Sequence, residues 1–290
     1  MLPVINYFAS LLKHIQPLPS EVAKARTHGA QIRSRIDKSF KLVSFLPMGS
    51  HQRGTAIRHY SDIDYFAVVS RKDARWGDRY KGSDTFLGNL RDTLADRFPS
   101  TAVSRSGQAV VIDFEQGGFA VEVVPSIFWE FRPFSTPIYL IPDGEGEYIE
   151  TSPQRQNSYI KAQDEKTGGK LSRTIQLLKF WRENRSSRVP LHSFHLEILL
   201  ACSGVCVGQK PFGRCVYESF RLLRNRQCRA FTDPLGISGY ITAAKTEAQL
   251  DALIRAVNHA YTHSLAAVEA AEIDRDFDEA CRQWDIVFNR

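Results

Sequence analysis

Two aspartates one residue apart, Asp62 and Asp64, stand at the head of an alternating, β-rich run, SDIDYFAVVS. Side chains alternate along a strand, so both carboxylates face one side, where they can bridge a pair of divalent ions. Such sites hold their ions ~3.5–4 Å apart, one activating an attacking oxygen and the other stabilising a leaving group. A third acid is needed. AVVIDFE and FAVEVV, joined by Gln116, Gly117 and Gly118, predict a hairpin. A two-residue turn at Gln116 and Gly117 would pair Glu115 with Gly118, Asp113 with Ala120 and Val111 with Glu122, which puts Asp113 and Glu122 diagonally on one face. Glu122 breaks an apolar run, and an unpaired buried carboxylate is costly, so a metal or cation partner is its natural explanation; a half-exposed strand position is the plainer one. For Asp113 a solvated position is the better reading, and both remain candidates for the third ligand.

Upstream, KLVSFLPM reads as a short apolar strand entering a tight turn at Gly49. A glycine there lets the backbone approach a phosphate, while Ser50 and adjacent amides donate hydrogen bonds. Paired acids at a strand end are commonly just solvated, and a Gly-Ser pair alone means less. What carries the reading is the two together with a later acid inside an apolar strand.

These residues must be held by a scaffold. After Pro19 a helix is expected, with Ser20 as its cap, Glu21 in its first turn, and Val22, Ala25, Ile32, Ile36 and Phe40 near helical period. A second helix is expected over residues 85–98. Ile5, Phe8, Leu12 and Ile15 fall at helical spacing in an N-terminal stretch too short to span a membrane and interrupted by Lys13; no signal peptide or transmembrane segment is expected. From about Pro133 to Gly169 the chain loosens, with several Pro and Gly residues and the acidic run DGEGE, and the β-pattern largely ends. Beyond it, Leu171, Ile175 and Leu178 share one helical face, and SFHLEILLACSGV, YESFRLLRN and a long stretch from about Lys245 to Ala271 read as further helices. The expected architecture is α+β: residues 1–155 form a mixed sheet with flanking and N-terminal helices, and residues 156–290 form a helical bundle.

Composition narrows the class. A chain of 290 residues that is 43% hydrophobic can bury one large core or two modest ones, with two domains expected, and has no disorder signature. Five cysteines without CxxC pairs suggest neither a disulfide framework nor a zinc site, and a reducing cytoplasm fits best. The net charge of +6 suits a protein that meets phosphates without requiring one. Arg221, Arg224, Arg226 and Arg229 concentrate in FRLLRNRQCRA, where a solvated helix face is the ordinary reading and a polyanion contact the functional one.

Taken in order, Gly49-Ser50, Gly54-Thr55-Ala56-Ile57, Ser61-Asp62-Ile63-Asp64 and Val121-Glu122-Val123-Val124-Pro125 resemble the signature of the oligoadenylate-synthase-like and bacterial cGAS/DncV-like nucleotidyltransferases, of the DNA-polymerase-β-like superfamily. In the helical half, Leu178-Lys179-Phe180-Trp181 resembles the family's Lys-x-Trp helix, and Ser193-Phe194-His195-Leu196-Glu197 its Ser-aromatic-x-Leu-Glu helix. Asp233-Pro234-Leu235-Gly236 resembles its C-terminal signature. Two departures stand out: Glu122 occupies a place more often held by Asp, and His51-Gln52-Arg53 follow Gly49-Ser50 where an aromatic is common.

The resemblance implies a polymerase-β-like core followed by a helical substrate-binding lobe, with the active site in the cleft between them. It implies that Asp62, Asp64 and Glu122 hold two Mg²⁺ or Mn²⁺ ions, that Gly49 and Ser50 bind triphosphate, and that Lys179 and Ser193 reach it from the helical half. Without the resemblance, Lys179 would be read as a surface lysine at the edge of the apolar stripe. Ser193 is equally suited to a helix N-cap, His192 and His195 to packing or surface roles, and Arg53, Thr55 and Arg58 to either the cleft mouth or ordinary loop roles. The implied activity is the linking of nucleoside triphosphates into a cyclic or short linear oligonucleotide messenger with release of pyrophosphate, in antiphage defence, beside an effector protein that reads the product. Two alternatives are a template-independent transferase acting on an RNA or tRNA end or a protein acceptor, for which nucleic acid would be a partner, and an inactive nucleic-acid-binding scaffold. The intact pair Asp62 and Asp64 disfavours the last.

Overall fold

The computed structural model describes residues 2–114 and 120–290. The expected turn at Gln116 and Gly117, with its Glu115–Gly118 pair, lies outside them. Helix α1 (Leu2–Ile15) buries Phe8, Leu11, Leu12 and Ile15 and leaves Ile5 exposed. Helix α2 (Pro19–Ser39) starts one residue before the expected cap: Leu18 is its N-cap, and the Glu21 carboxylate accepts from the Leu18 amide at 2.7 Å. Proline explains the shift, because its fixed φ suits the first helical position and its missing N–H costs nothing there.

The chain then enters the sheet through β1 (Leu42–Met48), turns through the short helix α3 (Gly49–Arg53), and returns as β2 (Ile63–Val69). A small hairpin, β3 (Arg75–Trp76) and β4 (Arg79–Tyr80), precedes α4 (Ser83–Arg97). Next come β5 (Ala102–Ser106), β6 (Ala109–Asp113), β7 (Val121–Arg132), β8 (Thr136–Pro142) and β9 (Tyr148–Thr151). Among the described residues these form one mixed seven-stranded sheet, ordered β1-β2-β7-β6-β5, with β8 on the outer half of β7 and β9 beyond it. β2 and β7 run parallel; the other pairs are antiparallel. The expected pairing of Val111 with Glu122 is present.

Both faces of β2 are covered. Ile63, Tyr65, Ala67 and Val69 join the main core with Ile32 and Ile36 of α2 and Phe86, Leu90 and Leu94 of α4, while Phe66 and Val68 pack on Tyr139 and Ile141 of β8. The tract that loosens after Pro133 is therefore not a linker: it contributes two strands and α5 (Pro153–Lys166). Its prolines mask the strand by denying the ladder donors, yet Ile138, Tyr139 and Ile141 between them are buried. β5 also escapes the hydropathy pattern, because AVSRS is a largely exposed edge.

The helical unit comprises α1 with Tyr159–Arg290, and Pro17–Ser158 form the other unit. The expectation divided the chain at 155/156 with the N-terminal helices beside the sheet; in the grouping by contacts α1 lies with the later helices, where Phe8 meets Trp284 edge-on at 5.1 Å. Its elements are α6 (Lys170–Glu183), α7 (Ser193–Ser203), α8 (Phe212–Asn225), the short pair β10 (Phe231–Thr232) and β11 (Tyr240–Ile241), α9 (Glu247–Glu269), a π-helical turn (Ala270–Asp274) and α10 (Phe277–Phe288). No helix among the described residues is long and apolar enough to cross a membrane.

Candidate active site

Asp62 is exposed immediately before β2, and Asp64 is half-buried on that strand. The parallel register sets Asp64 directly beside Glu122 at the start of β7, so two central strands deliver their acids to one end of the sheet. The local fold is tied there by Ile63 N, which donates to Ala120 O at 3.0 Å, and by Ser61 Oγ, which accepts from Ile57 N at 2.9 Å. Met48 of β1 faces Asp64 from the other side, and the chain turns away at Gly49 with φ of 66°. A Cβ on Gly49 would overlap the Asp64 carboxylate. Glycine is required twice over, by a left-handed backbone and by the close approach of the acid. Ser50 is buried beside it, and its carbonyl accepts from Thr55 N at 2.9 Å, closing the turn.

The Glu122 carboxyl is pushed up to about 7, first by burial and then by the negative charges of Asp64 and Asp62. The three acids therefore lie within reach of one another's fields, and a divalent cation among them would relieve that repulsion. Among the described residues no three His, Cys, Asp or Glu side chains close a metal cage by themselves. An open all-oxygen donor set fits Mg²⁺, which binds through one or two carboxylates and completes its shell with water and substrate phosphates. Asp113, two residues past the Val111 that faces Glu122, pairs with Ala102 at the exposed end of β6.

The other expected contacts belong to the helical unit. Residues 174–182 of α6 are buried on every side rather than along one stripe. Lys179 is accordingly no surface lysine: its Nζ lies 2.5 Å from Glu197 Oε1, with both side chains buried. Ser193 is the first residue of α7, whose N-cap is His192; its hydroxyl oxygen accepts from Arg182 Nη1 at 2.7 Å. Arg182 also donates to Leu191 O at 2.7 Å, so a buried guanidinium locks the approach to α7. His195 is fully buried in contact with Phe231, and burial holds its imidazole down to about 4. Sequence reasoning missed Glu197 and Arg182 as partners of these two residues. The signal was present: charged residues at positions that helical spacing places among Leu178, Trp181, Leu196 and Leu200 must find partners.

The profile of the Second Messenger Oligonucleotide or Dinucleotide Synthetase (SMODS) domain matches residues 2–164. A cyclic AMP-AMP-AMP synthase of Escherichia coli (strain MS 115-1) is 28% identical over 168 residues, covering 56% of this chain and 50% of the relative. A probable cyclic nucleotide synthase of Bacillus cereus (strain VD146) is 22% identical over 166 residues, covering 49% of this chain and 50% of the relative. The chain thus spans about half the length of the curated relatives it matches. The same fold recurs in CdnC of E. coli MS115-1 solved with ATP, with TM-score 0.72, 21% identity, and coverage of 98% of this chain and 97% of that one. It recurs again in the Bradyrhizobium diazoefficiens CD-NTase CdnG in complex with GTP, with TM-score 0.73, 16% identity and 99% coverage of both chains.

Proposed function

This chain belongs to the SMODS family of second messenger oligonucleotide or dinucleotide synthetases, and on that premise we propose that it is a metal-dependent nucleotidyltransferase that joins nucleoside triphosphates into a cyclic or short linear oligonucleotide and releases pyrophosphate. The observation that carries the reading is the register of Asp64 beside Glu122 with Asp62 at the strand head, three carboxylates gathered against the Gly49 turn.

Asp62 and Asp64 would hold both ions and Glu122 would complete the set on the acceptor side, with two Mg²⁺ supplying charge neutralisation of the attacking and leaving oxygens. With the ions bound Glu122 would be ionised, and it could then draw off the proton of the acceptor hydroxyl. Gly49 lets the backbone approach the triphosphate, and the amides of the turn donate to it. Ser193, whose oxygen is already occupied by Arg182, can orient its own O–H toward a phosphate oxygen. Lys179 would serve the triphosphate by exchanging part of its bond to Glu197 for phosphate. A role in antiphage defence, beside an effector protein that senses the product, is part of the same proposal and rests on the resemblance of the sequence motifs to those of the family. Transfer to an RNA end is the second reading, favoured by exposed Arg221, Arg224 and Arg229 on and beyond α8.

Pyrophosphate release from mixed ribonucleoside triphosphates tests the proposal. It should require Mg²⁺ or Mn²⁺ and fall by more than about a hundredfold in Asp64→Asn. Unchanged release from that variant would remove the assigned site.

A further inference from the structure

Within the helical unit, α1, α8, α9, α10 and the π-helical turn enclose a pocket of about 300 Å³ that neither Lys179 nor Ser193 lines. Its wall is almost wholly apolar, built by Ile5 and Phe8 of α1, Phe212 of α8, Val268 of α9, Ala271 of the turn and Trp284 of α10. The Phe8 ring stands 5.1 Å from Trp284 and 6.5 Å from Phe212. Gly213 lets α8 approach these rings, because a Cβ there would come within 3.1 Å of Trp284 and 3.2 Å of Phe8. Folded cores leave few voids larger than a water molecule, and a cavity with apolar walls stays dry and takes up apolar ligands. The turn over Ala270–Asp274 is π-helical, a backbone form often found at functional sites. Three cations, Lys170, Lys210 and Arg214, also line the pocket, where their aliphatic stems continue the apolar wall. Lys210 lies 2.7 Å from Glu218, and Arg214 lies 3.5 Å from both Glu218 and Glu272. Lys170 donates to a neutral group, the carbonyl of Gly208. Three positive charges thus stand against two negative ones, and the first turn of α8 beside them contains no acid.

We infer that this pocket binds a medium-chain fatty acid, with the alkyl tail among the rings and the carboxylate at Lys170. A wall with almost no polar surface disfavours a nucleotide or a sugar, whose hydroxyls and base edges would be buried without partners. Phe8 meets Trp284 at 72° and Phe212 at 39°, so these rings form no parallel-sided slot for a flat aromatic ligand, whereas an alkyl chain follows an irregular wall. A chain of roughly ten carbons fills such a volume at interior packing density. The single excess charge suits one carboxylate, and a more highly charged head would meet Glu218 and Glu272. Lys170 can turn to that carboxylate by giving up a carbonyl rather than an ion pair. Every lining residue belongs to the helical unit, and the inference does not depend on the proposed activity.

The test is isothermal titration calorimetry of the full chain with sodium decanoate below its micelle-forming concentration. Saturable binding at one site is expected, with a matching rise in melting temperature. Decanol, which has the same tail without the charge, should bind roughly fivefold more weakly. Ala271→Phe fills the pocket from a partly exposed position and should abolish binding while circular dichroism reports an unchanged fold. Lys170→Glu, at the partly exposed start of α6, should weaken decanoate roughly tenfold and leave decanol unchanged. Phosphatidylglycerol vesicles, which offer acyl chains and a single negative charge in a membrane, should not retain the protein, and indole should bind more weakly than decanoate. No saturable decanoate binding, binding that survives in Ala271→Phe, decanol as tight as decanoate, indole tighter than decanoate, or vesicle retention that Ala271→Phe abolishes would each overturn the inference.

Discussion

Gly49, Asp64 and Glu122 act as one unit, and each can be tested alone. Gly49→Ala places a Cβ into the Asp64 carboxylate on a backbone with φ of 66°, so it should cost about 1–2 kcal/mol from the left-handed conformation alone and also displace the acid. Thermal melts and pyrophosphate release should both fall; a variant with wild-type values in both would contradict the contact. For Glu122 the proton balance fixes the sign. Its carboxyl moves from 4.5 to about 7 on folding, so between those values the folded protein keeps a proton that the unfolded chain has lost. The associated stability is fully present below about pH 4.5 and is lost as pH rises through about 7. In metal-free buffer, Glu122→Gln should therefore melt higher than wild type at pH 8 and close to it at pH 5; parallel melting curves across that range would contradict a carboxyl raised by burial and by its acidic neighbours. These residues were legible in the sequence because alternation and hairpin register are short-range geometry. Lys179 was legible through the family resemblance, but its burial and its pairing with Glu197 were not read, because the partner lies on a different helix and α6 is buried beyond the one stripe expected.

Among the elements, α6 and α7 form a pair whose charges are as much structural as chemical. Removing one member of a buried ion pair leaves an uncompensated charge and costs about 3–5 kcal/mol, whereas replacing both with apolar residues of similar volume is often close to neutral. Lys179→Met should thus lower the melting temperature steeply, and the double variant Lys179→Met/Glu197→Leu should recover most of the loss while remaining inactive if Lys179 serves the triphosphate. A double variant no more stable than the single one would show that other groups compensate the charge. The long, periodic helices and the apolar strands β1, β2 and β7 were readable from hydropathy. β5, β8 and β9 were not, since an exposed edge carries no alternation and proline-flanked strands imitate loops. The β3–β4 hairpin was overlooked although RKDARWGDRYK interleaves aromatic and basic residues openly, because two-residue strands have no period to detect.

Across the whole molecule, the chain order of the two units is not their sequence order: α1 belongs with the helices that follow residue 158. Periodicity identified the helix, but nothing local says which core it enters. Phe8 is buried against Trp284 and Phe288, so Phe8→Ala should cost about 3–5 kcal/mol, and hydrogen exchange should accelerate in α1, α8 and α10 while the sheet stays protected. Acceleration in the sheet instead would contradict the grouping. The central claim concerns chemistry, and one experiment reaches it directly: incubation with Mg²⁺ or Mn²⁺ and all ribo- and deoxyribonucleoside triphosphates, with identification of products by mass spectrometry and the Asp62→Ala/Asp64→Ala protein as control. The account predicts a phosphodiester-linked product, phosphatase-resistant if cyclic and a ladder if linear, that is absent with the control. A product formed equally by the control, or no nucleotide-to-nucleotide linkage from the wild type under any of these conditions, would contradict it.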